Sequence, residues 1–216
     1  MKKRFIAFAG MSAAVAATIS IASGAQPGER ELDLVMTRNP DLQNGAALYA
    51  TCAACHGPNG EGITDGSVPS LVGQPYTVIA AQIVAFRAGT RGDPRMVHFS
   101  DRRHLSFSQP IADVAAYIAR LKPIEAKRST PPSDDSRAAL GYARSCERCH
   151  GSAAEGKEDP GTPRLASQHF EYLVKQLDDA AAGHRVTMAN AHAALPTSLT
   201  RDQLVSIARY LASLAP

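Results

Sequence analysis

The sequence predicts an all-α protein made of two tandem domains that are related by an internal repeat. The 216-residue chain matches itself when it is shifted by 94 positions, so that Cys52 falls on Cys146. Each copy ends in apolar residues spaced three and four apart, which is the pattern of an amphipathic helix. Gly and Pro also recur at equivalent places between these segments. A long repeat without a gap indicates two homologous folding units rather than one large domain.

The matching positions are spread along both copies. In chain order the pairs are Cys52 and Cys146, Cys55 and Cys149, His56 and His150, Gly57 and Gly151, Pro69 and Pro163, Leu71 and Leu165, Gln74 and Gln168, Gln82 and Gln176, Gly89 and Gly183, and Arg91 and Arg185. The register slips by one residue near the end, where Tyr117 matches Tyr210. We therefore predict domain 1 at 40–122, a Pro-rich and charged linker at 123–135, and domain 2 at 136–216.

The N-terminal region is interpreted as a signal for export. Residues 1–25 combine a basic start, an apolar and alanine-rich run, and small residues before Gln26, as secretory signal peptides do. An uncleaved membrane anchor is the alternative, and either one places both domains outside the cytoplasm. We expect a periplasmic protein. Residues 26–39 form an N-terminal extension, either a tether or a small helix on domain 1.

The charge balance argues against a nucleic-acid partner. The whole chain carries 23 Lys and Arg against 20 Asp and Glu. The predicted signal peptide holds three of these cations and no acid, which leaves 20 charges of each sign. A near-neutral chain without a basic patch is not typical of nucleic-acid binding.

Each domain is expected to contain three main helices. The first runs from Pro40, with Asn39 as its N-cap, into Cys52. The middle helices are predicted at 77–88 and 169–182. A glycine follows each of them, as at many helix C-termini.

The last helix of each domain is amphipathic. In domain 1 the apolar positions are Ile111, Val114, Ala115 and Ile118, and in domain 2 they are Leu204, Ile207, Ala208 and Leu211. Thr200 and Gln203 have the spacing of a capping box at the start of the second of these helices.

All four cysteines lie in two copies of one motif, C-x-x-C-H. These are Cys52, Cys55 and His56, then Cys146, Cys149 and His150. Two thiols at this spacing can add across the vinyl groups of a haem, and the next residue can ligate its iron. A disulfide pair or a zinc site are the other readings of C-x-x-C, but neither requires the His. Trp is absent and aromatic residues make up 6% of the chain, so a large apolar cofactor would supply much of each core.

Taken together, these residues resemble a known family. Each domain resembles a class I cytochrome c, and the pair resembles the periplasmic dihaem cytochromes of the cytochrome c4 type. The resemblance rests on C-x-x-C-H-G, Pro-x-Leu-x-x-Gln and Gly-x-Arg, each present twice in the same order. It implies two tandem cytochrome c-like domains, two covalently bound haem c groups, and electron transfer by the Fe(II)/Fe(III) couple.

The resemblance also implies a Met sulfur as the sixth ligand of each iron. Met96, in Asp93-Pro94-Arg95-Met96, is predicted for domain 1, and Met188 for domain 2. His98 and His192 are rivals, since they too are separated by 94 residues. A bis-His iron would have a lower potential than a Met-ligated one.

Several other residues have two readings each. Pro69 and Pro163 either present a backbone carbonyl to the iron-binding imidazole or are ordinary turn prolines. Arg91 and Arg185 either pair with haem propionates or are solvated. The remaining loop histidines, His104, His169 and His184, are expected at the surface.

The predicted function is that of a non-catalytic electron carrier. Its expected partners are redox proteins, namely a membrane quinol-oxidising complex, a terminal oxidase or a periplasmic dehydrogenase, with weak membrane association as a further expectation. The first alternative is the cytochrome subunit of a periplasmic dehydrogenase complex. The second is a dihaem redox enzyme, which needs a labile, absent or Cys sixth ligand. No fifth cysteine exists to supply such a thiolate.

Overall fold

A computed structural model describes residues 28–122, 135–185, 192 and 199–215. The predicted signal peptide and nearly all of the predicted linker lie outside these ranges. Within them the chain is helical, and its extended pairing is limited to isolated β-bridges. In the same ranges, no helix has both the length and the apolar character needed to cross a membrane.

The helices follow one another in two groups. In chain order they are α1 Glu29–Met36, α2 Leu42–His56, α3 Tyr76–Arg87, α4 Pro94–Phe99 and α5 Ser108–Ile118, then α6 Ser136–Ser145, α7 Glu147–His150, α8 Phe170–Ala181 and α9 Arg201–Ser213. Each of the two C-x-x-C-H motifs therefore reaches its His at the last residue of a helix.

In the first group, α2 packs closely across α5. Gly45 of α2 makes this approach feasible, because a Cβ there would overlap the carbonyl oxygen of Asp113 in α5. The core beneath is apolar and is built from Tyr49, Ile79, Ala80, Val84, Ile111, Val114 and Ala115. Burial of this apolar surface is the main favourable term in folding.

The N-terminal extension forms a helix on the first domain, as one of its two readings predicted. Val35 of α1 is fully buried in the core, and its carbonyl accepts a hydrogen bond from the Tyr76 hydroxyl at 3.2 Å. Arg87 of α3 pairs with Glu31 of α1. These contacts tie α1 to α3 and make it part of the domain.

In the second group, α6, α8 and α9 enclose a smaller core. Its members are Tyr142, Ala154, Ala166, Leu173, Ile207, Ala208, Leu211 and Ala212. The predicted capping box is present, with the side chain of Thr200 and that of Gln203 each bonded to the backbone amide of the other. The helix breaks at Cys146, so that the second motif lies on the separate short helix α7.

One predicted helix start was wrong. The N-cap of α2 is Asp41 rather than Asn39, and Pro40 lies outside the helix. The Asp41 carboxylate accepts hydrogen bonds from the amides of Gln43 and Asn44, and the Asp41 amide donates to the Asp113 carboxylate of α5 at 2.8 Å. The predicted middle helices 77–88 and 169–182 differ from α3 and α8 by about one residue at each end.

Candidate functional site

The first motif occupies the last turn of α2. Cys52 and Cys55 are three positions apart, so they share one helix face, and both are free thiols. His56 is only 6% exposed. Its Nδ1 lies 3.1 Å from the carbonyl oxygen of Pro69. Because a carbonyl only accepts, Nδ1 carries the proton and donates, which leaves Nε2 with the lone pair that a metal needs.

The second motif repeats this arrangement. Cys146 and Cys149 are free thiols, and His150 is also 6% exposed. The His150 Nδ1 lies 2.9 Å from the carbonyl oxygen of Pro163. Of the two readings of these prolines, the structure therefore supports the carbonyl that orients the imidazole. Such contacts fix ring orientation and raise ligand basicity.

Both imidazoles are held in the neutral form. Burial lowers the pKa of His56 below its ordinary value, and the Pro69 carbonyl only partly opposes this. Burial likewise lowers the pKa of His150, with Pro163 opposing it and His192 adding to it. A neutral imidazole is the form that binds a metal.

A tyrosine fixes the turn that follows each motif. The buried Tyr49 hydroxyl donates to the carbonyl of Gly57 at 2.7 Å, and Tyr142 does the same to Gly151. Gly57 and Gly151 have φ of 78° and 87°, a conformation that favours glycine. The glycine after the motif is thus a backbone requirement of the turn that aims the imidazole.

The predicted ligand Met96 lies on α4, a helix that the sequence did not predict. Met96 is half-buried. Arg95, the residue before it, donates a hydrogen bond to the carbonyl of Ser67 at 3.0 Å, in the same loop as Pro69, whose carbonyl contacts His56. The start of α4 is therefore placed beside the first motif.

Of the two candidate sixth ligands in the second domain, the structure describes one. Met188 lies outside the described residues. His192 is described, and the centroid of its ring lies 6.1 Å from that of His150, with 39° between the planes. His98 instead packs against Phe99 and His104.

The two domains meet through reciprocal amide contacts. The Gln74 side chain donates to the carbonyl of Arg164 at 2.8 Å and accepts from its amide at 3.2 Å. The Gln168 side chain makes the equivalent pair with Ser70, at 2.8 and 2.9 Å. Gln74 and Gln168 are 94 residues apart, as are Ser70 and Arg164, so the interface has a pseudo-twofold character.

Two buried arginines lie at the same interface. Arg91 and Arg185 pair as an isolated antiparallel bridge, and each bonds to both Gln82 and Gln176. Burial and the neighbouring Arg91 lower the pKa of Arg185 to about 10. The Arg185 Nε is buried without a hydrogen-bond partner. These are two desolvated cations whose main partners are neutral amides, an arrangement that suits anions nearby.

The residues present fit a haem at each motif. The thiols are unpaired and share a face at the first motif, and each His presents a neutral Nε2. The buried Arg185 Nε, which has no hydrogen-bond partner, matches the carboxylates that haem carries. Helices, paired C-x-x-C-H motifs and oriented imidazoles define the class of proteins that bind haem covalently.

Comparisons with known proteins agree with this class. The sequence profile described as Cytochrome c matches residues 42–122. Cytochrome c-554(548) of Halomonas halodenitrificans is 34% identical over 79 residues, covering 37% of this chain and 94% of that protein. Cytochrome c4 of Azotobacter vinelandii is 27% identical over 190 residues, 81% of this chain and 89% of that protein. A protein of Thiomonas intermedia named thiosulfate dehydrogenase electron acceptor is 28% identical over 179 residues. The match covers 76% of this chain and 78% of that protein.

The crystal structure of reduced cytochrome c4 from Pseudomonas stutzeri has the same fold. It superposes with a TM-score of 0.68 at 23% identity, over 82% of this chain and all of that one. The chain belongs to the cytochrome c family, as a dihaem member that resembles cytochrome c4. The predicted all-α fold of two cytochrome c domains, the two haem c groups and the electron-transfer function are thereby confirmed. The exact domain boundaries stay predictions.

Sequence reasoning missed part of the interface. His169 was expected at the surface and is 7% exposed, because its Nε2 bonds across the interface to the carbonyl of Glu61 at 2.8 Å. Gln74 and Gln168 appeared as matching residues without a role. A polar pair retained at the repeat distance, outside the haem motifs, is the signal that points to such contacts.

Proposed function

We propose that this cytochrome is a periplasmic electron carrier whose haems are attached at the two C-x-x-C-H motifs. Cys52 and Cys55 hold the haem of domain 1, and Cys146 and Cys149 hold that of domain 2. The periplasmic location is supported by the signal-like segment 1–25, after which covalent haem attachment would follow export.

The axial ligands follow from the same sites. His56 and His150 are the fifth ligands, and the observation that carries this is the Nδ1 contact of each with a proline carbonyl. Met96 is the sixth ligand in domain 1. In domain 2 the sixth ligand comes from the segment between α8 and α9, where Met188 is the ligand predicted from the family and His192 its rival.

Each bound haem supplies a one-electron Fe(II)/Fe(III) couple. The chain provides buried, neutral, pre-oriented imidazoles, and it connects the two domains through short polar contacts. With a haem bound and two protein ligands on its iron, no iron position would remain open for a substrate, which would suit transfer of electrons rather than chemistry on a bound molecule.

Haem staining of the denatured protein tests the attachment sites. The whole chain is expected to carry two covalent haems. Cys52→Ala with Cys55→Ala should leave one haem per chain, and Cys146→Ala with Cys149→Ala should leave the other. Retention of two haems in either double variant would overturn the assignment, as would a wild-type protein without covalent haem.

We further propose a dehydrogenase that oxidises thiosulfate as one electron donor. The support is the relative named thiosulfate dehydrogenase electron acceptor, whose match covers 76% of the present chain. Purified ferric protein mixed with such a dehydrogenase and thiosulfate should be reduced, as seen in its visible spectrum. The control omits the dehydrogenase. Reduction no greater than in that control would exclude this dehydrogenase as an electron donor.

A further inference from the structure

We infer that Arg95 is a positioning residue, which ties α4, and with it Met96, to the loop that orients His56. The inference rests on the proposed function, since it presupposes a haem iron with His56 and Met96 as its axial ligands. It adds a residue that acts on the ligand through the backbone of α4 and is not itself a ligand.

The Arg95 guanidinium joins two segments that are distant in the chain. Its Nη2 donates a hydrogen bond to the carbonyl oxygen of Ser67 at 3.0 Å. Ser67 is two residues before Pro69, whose carbonyl contacts the His56 imidazole. The Arg95–Ser67 bond therefore connects the residue next to the proposed sixth ligand with the loop that holds the fifth.

Asp93 keeps the guanidinium in the orientation that this bond requires. The Arg95 Nη2 lies 3.0 Å from one oxygen of the Asp93 carboxylate, and the Arg95 Nε lies 3.3 Å from the other. A planar guanidinium that is bound at two positions has little rotational freedom left. Asp93 is also the N-cap of α4. One carboxylate thus starts the helix and orients the side chain that ties the helix down.

Helix α4 has little apolar burial to hold it in place. It is six residues long and none of them is buried. Its C-terminal end is fixed by Arg87, whose Nε donates to the carbonyl of Ser100 at 2.7 Å. Because the hydrophobic contribution is small, polar contacts at the two ends determine where this helix lies. Arg95 supplies such a contact at the end that carries Met96.

The sequence of the second domain lacks a counterpart of Arg95. The residue before Met188 is Thr187, and residues 186–198 contain neither Arg nor Lys. The haem of domain 2 is thus an internal reference. A change at Arg95 should alter the properties of one haem and leave those of the other as they were.

The Arg95–Ser67 bond should slow the release of the Met96 sulfur from iron. Release needs α4 to move away from the loop at Ser67, and the bond opposes that local opening. A small external ligand can bind the iron once the sulfur has left. Arg95 therefore limits how often the haem site of domain 1 opens.

The test follows imidazole binding to the ferric, haem-loaded protein, with one kinetic phase for each haem. Arg95→Gln should speed the domain 1 phase by roughly fivefold, as expected when one partly exposed, charge-assisted hydrogen bond is lost, and should leave the other phase unchanged. Met96→Leu identifies the domain 1 phase, because it removes the sulfur there. The matched control Arg103→Gln removes a cation that is 86% exposed and pairs with Asp101, two residues away. It should change neither phase.

Identical phases in Arg95→Gln and the wild type would overturn the inference, as would an equal acceleration of both phases. A lower urea midpoint with unchanged imidazole binding would also overturn it, since that is the result of a merely structural role. Every variant is also checked by haem staining and by the weak long-wavelength absorption band that ferric haem shows when a Met sulfur is bound.

These two checks separate the failure of this inference from that of the proposed function. Missing covalent haem, or a band of full intensity in Met96→Leu, would contradict the proposed attachment or ligand. Two covalent haems and a weakened band in Met96→Leu, together with unchanged binding in Arg95→Gln, would contradict the role of Arg95 alone.

Discussion

At the scale of single residues, the buried tyrosine behind each motif fixes the turn that follows the motif histidine. Tyr49 is 3% exposed and its hydroxyl donates to the carbonyl of Gly57, the residue directly after His56. Burial raises the pKa of Tyr49 well above its ordinary value. The phenol therefore stays protonated, as a donor must. Tyr142 has the same role in domain 2.

Tyr49→Phe is expected to destabilise domain 1. The substitution keeps the ring but leaves the Gly57 carbonyl without its donor, which costs about 1–3 kcal/mol when the group stays buried. Urea unfolding of the haem-loaded protein, followed by visible absorbance, measures the loss. Tyr142→Phe should show a similar loss in domain 2. Unfolding midpoints equal to that of the wild type in both variants would mean that water replaces the hydroxyl.

At the scale of the elements, the short helix α4 depends on its first residue. The Asp93 carboxylate accepts hydrogen bonds from the amides of Arg95 and Met96. Desolvation acts to raise the pKa of Asp93, but the bonds from Arg95 and Met96 outweigh it, so the pKa lies below its ordinary value. A six-residue helix gains much of its stability from such a cap.

Asp93→Ala is expected to loosen the Met96 ligation. Loss of the cap costs about 1 kcal/mol, and it acts on the helix that carries the proposed ligand Met96. The Met–iron absorption band should weaken, and carbon monoxide should bind the reduced haem of domain 1 more readily. Asp135→Ala is the matched control, because it removes the same kind of cap from α6. Equal effects of the two variants on the band would contradict a specific role for Asp93.

The lowered pKa of Asp93 leads us to expect that ligation by Met96 weakens in acid. Since the pKa of Asp93 is lower in the folded protein than its ordinary 3.8, the unfolded state binds more protons in acid. The stabilisation is complete above the ordinary value and is lost as the pH falls through the lower folded value. The Met–iron band of the wild type should therefore decline in that range. In Asp93→Asn the band should lack this part of the acid dependence.

At the scale of the whole molecule, the interface explains how two small domains act as one carrier. Gln74 and Gln168 each make two hydrogen bonds to a peptide group of the other domain. Both side chains are at most 9% exposed. Bonds that are shielded from water and matched in both directions hold the domains in one relative position.

Gln168→Ala is expected to uncouple the domains. It leaves the amide and carbonyl of Ser70 without partners, at about 1–3 kcal/mol for each group that stays buried. Thermal unfolding should change from one cooperative transition to two. Gln109→Ala is the control, because its bonds to Asn39 and Asp113 lie within domain 1. A single transition in Gln168→Ala would show that other contacts suffice to couple the domains.

Much of the fold was accessible from sequence because the relevant signals are local. The apolar spacing of α5 and α9, the Thr200 capping box and the glycines after α3 and α8 each depend on residues a few positions apart. Helix α4 was missed, since six residues are too few for an apolar period to show. The N-cap of α2 was misassigned because Asn39 and Asp41 both suit that position.

The sequence alone determined that the chain binds haem and that it binds two, because C-x-x-C-H is a local requirement for covalent attachment and recurs after 94 residues. It also determined the helical character, since periodicity is local as well. Only the tertiary structure decided that proline carbonyls orient both imidazoles. It alone also decided that Gln74, Gln168 and the two arginines meet between the domains. These contacts join segments that are distant in the chain, and the spacing of residues within a segment does not encode such distances.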